Sequence, residues 1–295
     1  MYERILVPLD GSELAERALP YVAELAKRLG SEAILLTVAT PGDPSERIFR
    51  SYLQRRVDEL RSLGSRASLA VVPGDTAKVI LDFANTNAID LIVVSAHGRG
   101  GPGVWPMGSI ANKVLQRSRI PMILVRGESP ETVMAEKGLR RILLLLDGSQ
   151  FAEAVIPYAQ VLAQAMGSEV TLLQVVEPVQ LPRIKGYAAG FDEKKYEKEL
   201  TTRAERKAKR YLRQKESALE GEGIKVTTVS LLGKPSDIIL QYAEDKPASL
   251  IALATHGMSG IAKWAYGSVA SKIIEASSKP VFLVRPPLPA SKKSL

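Results

Sequence analysis

The chain of 295 residues has no cysteine and only two histidines, His97 and His256. The first absence excludes disulfides, thiolate metal sites, iron–sulfur clusters and thiol nucleophiles together. The second leaves too little imidazole for a His-rich metal site, so no metal centre and no thiol catalysis is expected. Aromatic residues make up only 5% of the chain, which argues against stacking-based recognition of nucleic acid. No apolar run exceeds five residues, as in Ile142–Leu146 and Leu250–Ala254, whereas a membrane helix needs about 18. The opening MYERILVPLD carries acids and a proline in place of a basic stretch followed by an apolar core. No secretory signal or membrane association is therefore expected, and the cytoplasm is the expected location.

What is present is an ordinary globular composition, 45% hydrophobic and 24% charged. The length allows two domains or one large one. The net charge of +8 is unevenly spread: 17 Lys/Arg against 16 Asp/Glu up to residue 137, then 23 against 16. Ten of the later basic residues fall in Phe191–Glu216, together with six acids. Tyr196, Leu200, Ala204, Ala208 and Tyr211 recur there three or four apart, which predicts a long amphipathic helix. Its charged side reads as a solvated face before it reads as a partner surface.

The chain repeats itself. RILVPLDGS at Arg4–Ser12 returns as RILLLLDGS at Arg141–Ser149, and Arg4–Val38 matches Arg141–Val175 at 19 of 35 positions without a gap. Gly74–Arg126 matches Gly233–Arg285 at 19 of 53 positions. The offset grows from 137 to 159, so the second copy carries 22 extra residues between Glu177 and Gly233. Repeats this long are duplicated domains, unlike the short units of a solenoid. The expected organisation is a first domain at 1–127, a linker at 128–138, a second domain at 139–287 and a tail at 288–295.

Within a copy, short apolar runs alternate with helical periodicity. Strands are expected at Ile5–Leu9, Ile34–Val38, Ala67–Val72, Leu91–Ser95 and Met122–Val125. Helices are expected from Ser12 to Gly30, with a kink at Pro20 matched by Pro157, around Phe49–Leu60, at Thr76–Asn87 and at Ser109–Gln116. Such alternation implies parallel βαβ units: an α/β chain of two tandem doubly wound domains, each with a five-stranded parallel sheet.

Ligands of such sheets bind outside the carboxyl ends of the strands, where strand order reverses. Three segments should meet there. Asp10 and Asp147 end the first strand of each copy; each either accepts from a ribose hydroxyl or an adenine edge, or caps the following helix. Val38 and Val175 end the second strand, where backbone groups could pair with an adenine, although a strand valine is ordinarily core. The third segment is Ser95-Ala-His-Gly98, nine residues and Gly108-Ser109, repeated as Ala254-Thr-His-Gly257, nine residues and Gly267-Ser268. Glycines admit a phosphate close to the backbone, and a Gly-Ser pair opening a helix offers N–H groups and the positive end of a dipole.

These motifs, ILVPLDGS, DLIVVSAHGR and Gly-x9-Gly-Ser before IPMILVR, resemble the universal stress protein family in both copies and over nearly the whole chain. The resemblance implies the family's Rossmann-like fold, related to the adenine-nucleotide α-hydrolases, and a stress-response regulatory module that binds ATP, ADP or AMP, with magnesium as a companion ion. Carried over by residue, it implies one site at Asp10, Val38, Gly98, Gly108 and Ser109, with Arg99 beside them. The other comprises Asp147, Val175, Gly257, Gly267 and Ser268, with Lys263 near the phosphates. Family members pair through their last strands, so the two copies are expected to pack as a pseudo-two-fold internal dimer, with further homo-oligomerisation optional.

The sequence departs from the family pattern where its first loop glycine is Ser95 in one copy and Ala254 in the other. Slow ATP hydrolysis, or a nucleotide-free interaction protein of the same family, are the alternatives. For His97 and His256, a hydrogen bond shaping the loop is expected in preference to catalysis. Gly98–Gly103 formally satisfies G-x-G-x-x-G, but it follows the fourth strand and contains Pro102. No Walker lysine motif and no SGG-x-DS signature occurs.

Overall fold

The computed structural model describes residues 1–40, 45–98, 107–126, 138–182, 192–256 and 266–287. The tail, the linker apart from Gly138, and Arg99, Gly257 and Lys263 lie outside these residues. The first copy runs β1 (Arg4–Pro8), α1 (Glu13–Glu16), α2 (Leu19–Leu29), β2 (Glu32–Ala39), α3 (Glu46–Ser62), β3 (Arg66–Pro73), α4 (Thr76–Thr86), β4 (Leu91–Ser95), α5 (Ser109–Arg117) and β5 (Met122–Val125). The second runs β6 (Arg141–Leu145), α6 (Gln150–Glu153), α7 (Ile156–Met166), β7 (Glu169–Val176), α8 (Glu193–Glu220), β8 (Val226–Leu232), α9 (Pro235–Asp245), β9 (Leu250–Ala254), α10 (Ser268–Ala276) and β10 (Val281–Val284). None of the helices in the described residues is long and apolar enough to cross a membrane.

The strands form one ten-stranded sheet in the order β3-β2-β1-β4-β5-β10-β9-β6-β7-β8. Each copy's five strands are parallel, and the β5–β10 junction is antiparallel. Strand side chains alternate between the two faces. Ile5, Val7 and Leu9 join the apolar layer beneath α1–α3 and α6–α8, whereas Leu6 joins the layer beneath α4, α5, α9 and α10. Continuous apolar strands are thus explained by cover on both faces.

At the junction Met122, Ile123 and Leu124 pair with Leu283, Phe282 and Val281. Ile123 and Phe282 are equivalent positions in the repeat, so a pseudo-two-fold axis passes between them. Arginines brace the same junction reciprocally. Arg126 Nη1 donates to the Glu275 carbonyl at the end of α10 (2.7 Å), and Arg285 Nη2 donates to the Gln116 carbonyl at the end of α5 (2.8 Å). Each copy therefore places a cation at the negative end of the other's helix dipole.

Two expectations change. The helix from Ser12 does not kink at Pro20; it breaks into α1 and α2, with Pro20 in the first turn of α2, and Pro157 does the same in α7. Proline lacks the N–H that a continuous helix would need there, whereas the first turn needs none. The basic helix is also less foreign than its composition suggested. The offset of 159 already aligns Phe49, Leu53 and Leu60 of α3 with Ala208, Leu212 and Leu219, which are buried in α8. The insertion thus lies ahead of this segment, and Glu193–Ala204 extends a helix that both copies possess.

Burial has a consequence at high pH. Tyr2 and Tyr21 are 0% and 1% exposed. Burial, then the charges of Tyr158 and Asp90, hold the Tyr2 phenol far above its usual range, and burial pushes Tyr21 up to about 12. Below about pH 10 both phenols are protonated folded or unfolded, and stability is intact. Above it the unfolded chain loses protons that the fold retains, so stability should fall by about 1.4 kcal/mol per pH unit for each phenol. In an alkaline titration, the phenolate absorbance of these two residues should rise together with the loss of helical circular dichroism. Full ionisation of every tyrosine with the helix signal intact would contradict this.

Candidate functional site

In each copy the connections from the first strand run one way along the sheet and those after the fourth run the other, so the order reverses between β1 and β4, and between β6 and β9. The crevice at the carboxyl ends of these strands is where the fold leaves room for a ligand. Asp10 stands there, just beyond β1. Its Oδ1 accepts from the Ser12 N–H (2.9 Å) and the Ser12 hydroxyl (2.6 Å), while Ser12 Oγ accepts from the Ala15 N–H. Ser12 is thus the helix cap and Asp10 holds it in place. Asp147 accepts from the Ser149 N–H in the same way (2.9 Å), and Ser149 caps α6.

Gly98 lies against the Asp10 carboxylate, so that a Cβ placed there would overlap Asp10 Oδ2. The chain leaves the described residues after Gly98 and re-enters before Gly108, whose N–H returns to the Ala96 carbonyl at 2.8 Å. Both glycines of the Gly-x9-Gly spacing therefore stand at the tip of β4. A Cβ at Gly108 would come within 3.2 Å of that carbonyl, a tight fit. Gly108 and Gly267 are the N-caps of α5 and α10, neither of which has a side-chain cap, and Ser109 and Ser268 are exposed in the first turns. An uncapped helix start presents N–H donors and positive potential to an anion.

Val38 is half-buried near the end of β2, and Val175 occupies the corresponding place in β7. β1 pairs with β2 only as far as Pro8–Leu36, with a further bond from the Leu9 N–H to the Leu36 carbonyl. β2 continues to Ala39, so its last residues overhang the crevice. The structure brings Asp10, Gly98, Gly108 and Ser109 together at one strand edge, with Val38 on the neighbouring strand end. In the second copy it places Asp147, Val175, Gly267 and Ser268 equivalently. Arg99, Gly257 and Lys263 lie outside the described residues. His256 is 5% exposed, its Nδ1 lying 3.0 Å from Thr255 Oγ1, and His97 is half-buried.

A cluster that sequence spacing missed stands behind each aspartate. Arg56 pairs with Glu16 (3.2 Å), its guanidinium 5.8 Å from the Tyr52 ring centre. Lys215 pairs with Glu153 (2.8 Å) and lies 5.4 Å from the Tyr211 ring centre. Burial, then proximity to Glu16 and at longer range Asp10, holds the Tyr52 phenol well above its usual range. Burial, Glu153 and Asp147 do the same for Tyr211. Neither phenol oxygen makes a hydrogen bond of full geometry among the described residues. Both phenols stay protonated at neutral pH, so each adds a neutral donor beside an acidic pair. The glutamates are 137 apart but the tyrosines 159, which hid the correspondence.

The universal stress protein family model matches this chain twice, at residues 1–126 and 138–285. A universal stress protein of Mycolicibacterium smegmatis is 24% identical over 96% of this chain and 97% of its own length. One from Methanocaldococcus jannaschii is 27% identical over 50% of this chain and 94% of its own. Among solved structures, a universal stress protein from Archaeoglobus fulgidus shares the fold at a TM-score of 0.68, with 21% identity and 96% of each chain covered. With the same strand order, the same crevice and the family's pattern present in each half, the chain belongs to the universal stress protein family, and does so twice within one polypeptide.

Proposed function

We propose that the chain is a stress-response regulatory module that binds an adenine nucleotide, ATP, ADP or AMP, at the crevice of one or both copies. The observation that carries the reading is the placement of Gly98 against Asp10, with the uncapped start of α5 tied back to the same strand tip. In this reading the overhanging end of β2 at Val38 meets the adenine, and Asp10 accepts from the ribose. Gly98, Gly108 and Ser109, with Arg99, surround the phosphates. Asp147, Val175, Gly257, Gly267 and Ser268 act likewise in the second copy, with Lys263 beside the phosphates. The residues fit a nucleotide because the donors are backbone N–H groups and hydroxyls and the close approaches fall at glycine. Magnesium enters as the counter-ion of the phosphates. The β5–β10 pairing gives each copy its partner within the chain, so further homo-oligomerisation is dispensable to the site.

Calorimetric titration with ATP, with and without magnesium, tests this. Gly98→Val is expected to abolish binding at the first site, and the double variant Gly98→Val/Asp147→Ala at both, with circular dichroism unchanged. Wild-type protein that shows neither heat nor a raised melting temperature with millimolar ATP would overturn the reading. So would undiminished binding by the double variant.

A further inference from the structure

Acidic and basic residues are interleaved in the sequence of α8, but the folded helix sorts them onto different sides. It exposes Lys or Arg at nine positions and Glu at three. From Lys194 to Arg213, about 28 Å along the axis, Glu199 is the one exposed acid, and it pairs with Arg203 (2.6 Å). Glu197 and Glu205 are half-buried, and Glu197 Oε1 accepts from the Leu181 N–H. Arg206, Arg210 and Arg213 recur at spacings of four and three, so they share one side of the helix, opposite the buried Ala208, Leu212 and Leu219. None of these three arginines makes an ion pair among the described residues. Lys207 and Lys209 are exposed beside them. The nearby α7, whose Gln164 donates to the Glu222 carbonyl just past the end of α8, contains no charged residue that could neutralise this face.

The first copy lacks such a face. At the offset that aligns α8 with α3, Arg206, Arg210 and Arg213 correspond to Arg47, Ser51 and Gln54. α3 exposes four basic residues against three acids, and its Arg50 and Arg61 pair with Glu46 and Asp58 of the same helix. We propose that the outer face of α8 binds duplex DNA through its phosphates, without preference for sequence. Guanidiniums in a row match phosphate oxygens, which accept from arginine in pairs, and phosphate contacts carry no sequence information. Other anionic partners fit this face less well. Single strands are held by stacking, and Tyr196 is the one exposed aromatic residue of the helix. Helices that lie on membranes insert an apolar side, which here is buried in the core. Protein interfaces have an apolar centre depleted of charge, the reverse of this face. The major groove of B-form DNA, about 12 Å wide, admits one side of a helix between its phosphate walls, whereas that of A-form RNA is too narrow. None of the residues proposed for nucleotide belongs to α8.

Fluorescence anisotropy of a short labelled DNA duplex, titrated with the full chain, tests this. Micromolar binding is expected at about 50 mM salt. With about five phosphates engaged, affinity should fall with salt at a log–log slope of about −4.5. The triple variant Arg206→Gln/Arg210→Gln/Arg213→Gln should bind at least about tenfold more weakly, with a slope of about −2. All three positions are exposed, so its melting temperature should match the wild type. Arg47→Gln/Arg50→Gln/Arg55→Gln, on α3, removes the same charge and should bind like the wild type. Absence of binding by the wild type at that salt would overturn the proposal, and so would equal loss in the two triple variants. Tighter binding to an RNA duplex of the same sequence, or to phosphatidylserine vesicles, would also overturn it. No titration contains ATP, so failure of the nucleotide reading leaves the proposal standing.

Discussion

Phe282→Ala is expected to lower the unfolding free energy by about 3–5 kcal/mol, the cost of deleting a fully buried aromatic side chain. Phe282 is 0% exposed, in the strand that joins the copies, opposite Ile123. Its ring belongs to the apolar layer that runs beneath α1–α3 and α6–α8. The resulting hole would lie at the junction itself, with both copies forming its wall. The loss should therefore also reduce the cooperativity between the two halves. Chemical denaturation would show this as a lower midpoint with a broadened or split transition. Phe282→Ile, which places isoleucine on both sides of the axis, should cost less than the alanine variant. A loss below 1 kcal/mol for alanine would mean that the junction contributes little to the fold.

Gly74→Ala and Gly233→Ala should each be strongly destabilising, and for a different reason. Their φ angles are +144° and +141°, a region that side chains rarely allow. A residue forced into it costs about 1–3 kcal/mol. The new Cβ would also come within 2.8 Å of Val79 Cγ2 in one copy and Ile238 Cγ1 in the other. Displacing a packed side chain adds about 1–3 kcal/mol. The effect reaches the candidate site, because the Gly74 N–H donates to the Ala39 carbonyl and the Gly233 N–H to the Val176 carbonyl. These bonds pin the strand ends next to Val38 and Val175. Gly30→Ala is the control: its φ is +68° with nothing within 4 Å of the new Cβ. Its cost should be only the left-handed penalty of about 1–2 kcal/mol. Urea denaturation of the three variants should show Gly74→Ala and Gly233→Ala well below Gly30→Ala. Equal midpoints would remove the steric part of the argument.

The regular parts of the fold were legible because their signals are local. β4 and β5 fall on the expected Leu91–Ser95 and Met122–Val125, since each is a short apolar run ended by turn residues. The break between α1 and α2 was disguised because Leu14, Ala18 and Val22 keep helical spacing across it. Only the proline's position in a first turn distinguishes a new helix from a bent one. In the candidate site, the loop glycines and aspartates were legible from the repeat. The Tyr52 and Tyr211 clusters were not, because the second copy's insertion falls between Glu153 and Tyr211 and gives the acid and the phenol different repeat offsets.

The axis between Ile123 and Phe282 has a further consequence. In a dimer of two identical chains, the residue on the two-fold axis meets itself, and each substitution is made on both sides at once. A single chain that carries both halves is released from that self-complementarity. A branched aliphatic can face an aromatic ring, and a guanidinium can occupy one half while its counterpart is a methyl group. Assembly also becomes independent of dilution, because covalent linkage fixes the local concentration of one half about the other. The molecule keeps the geometry of a homodimer with the freedom of a heterodimer, so the residues of its two crevices can diverge independently.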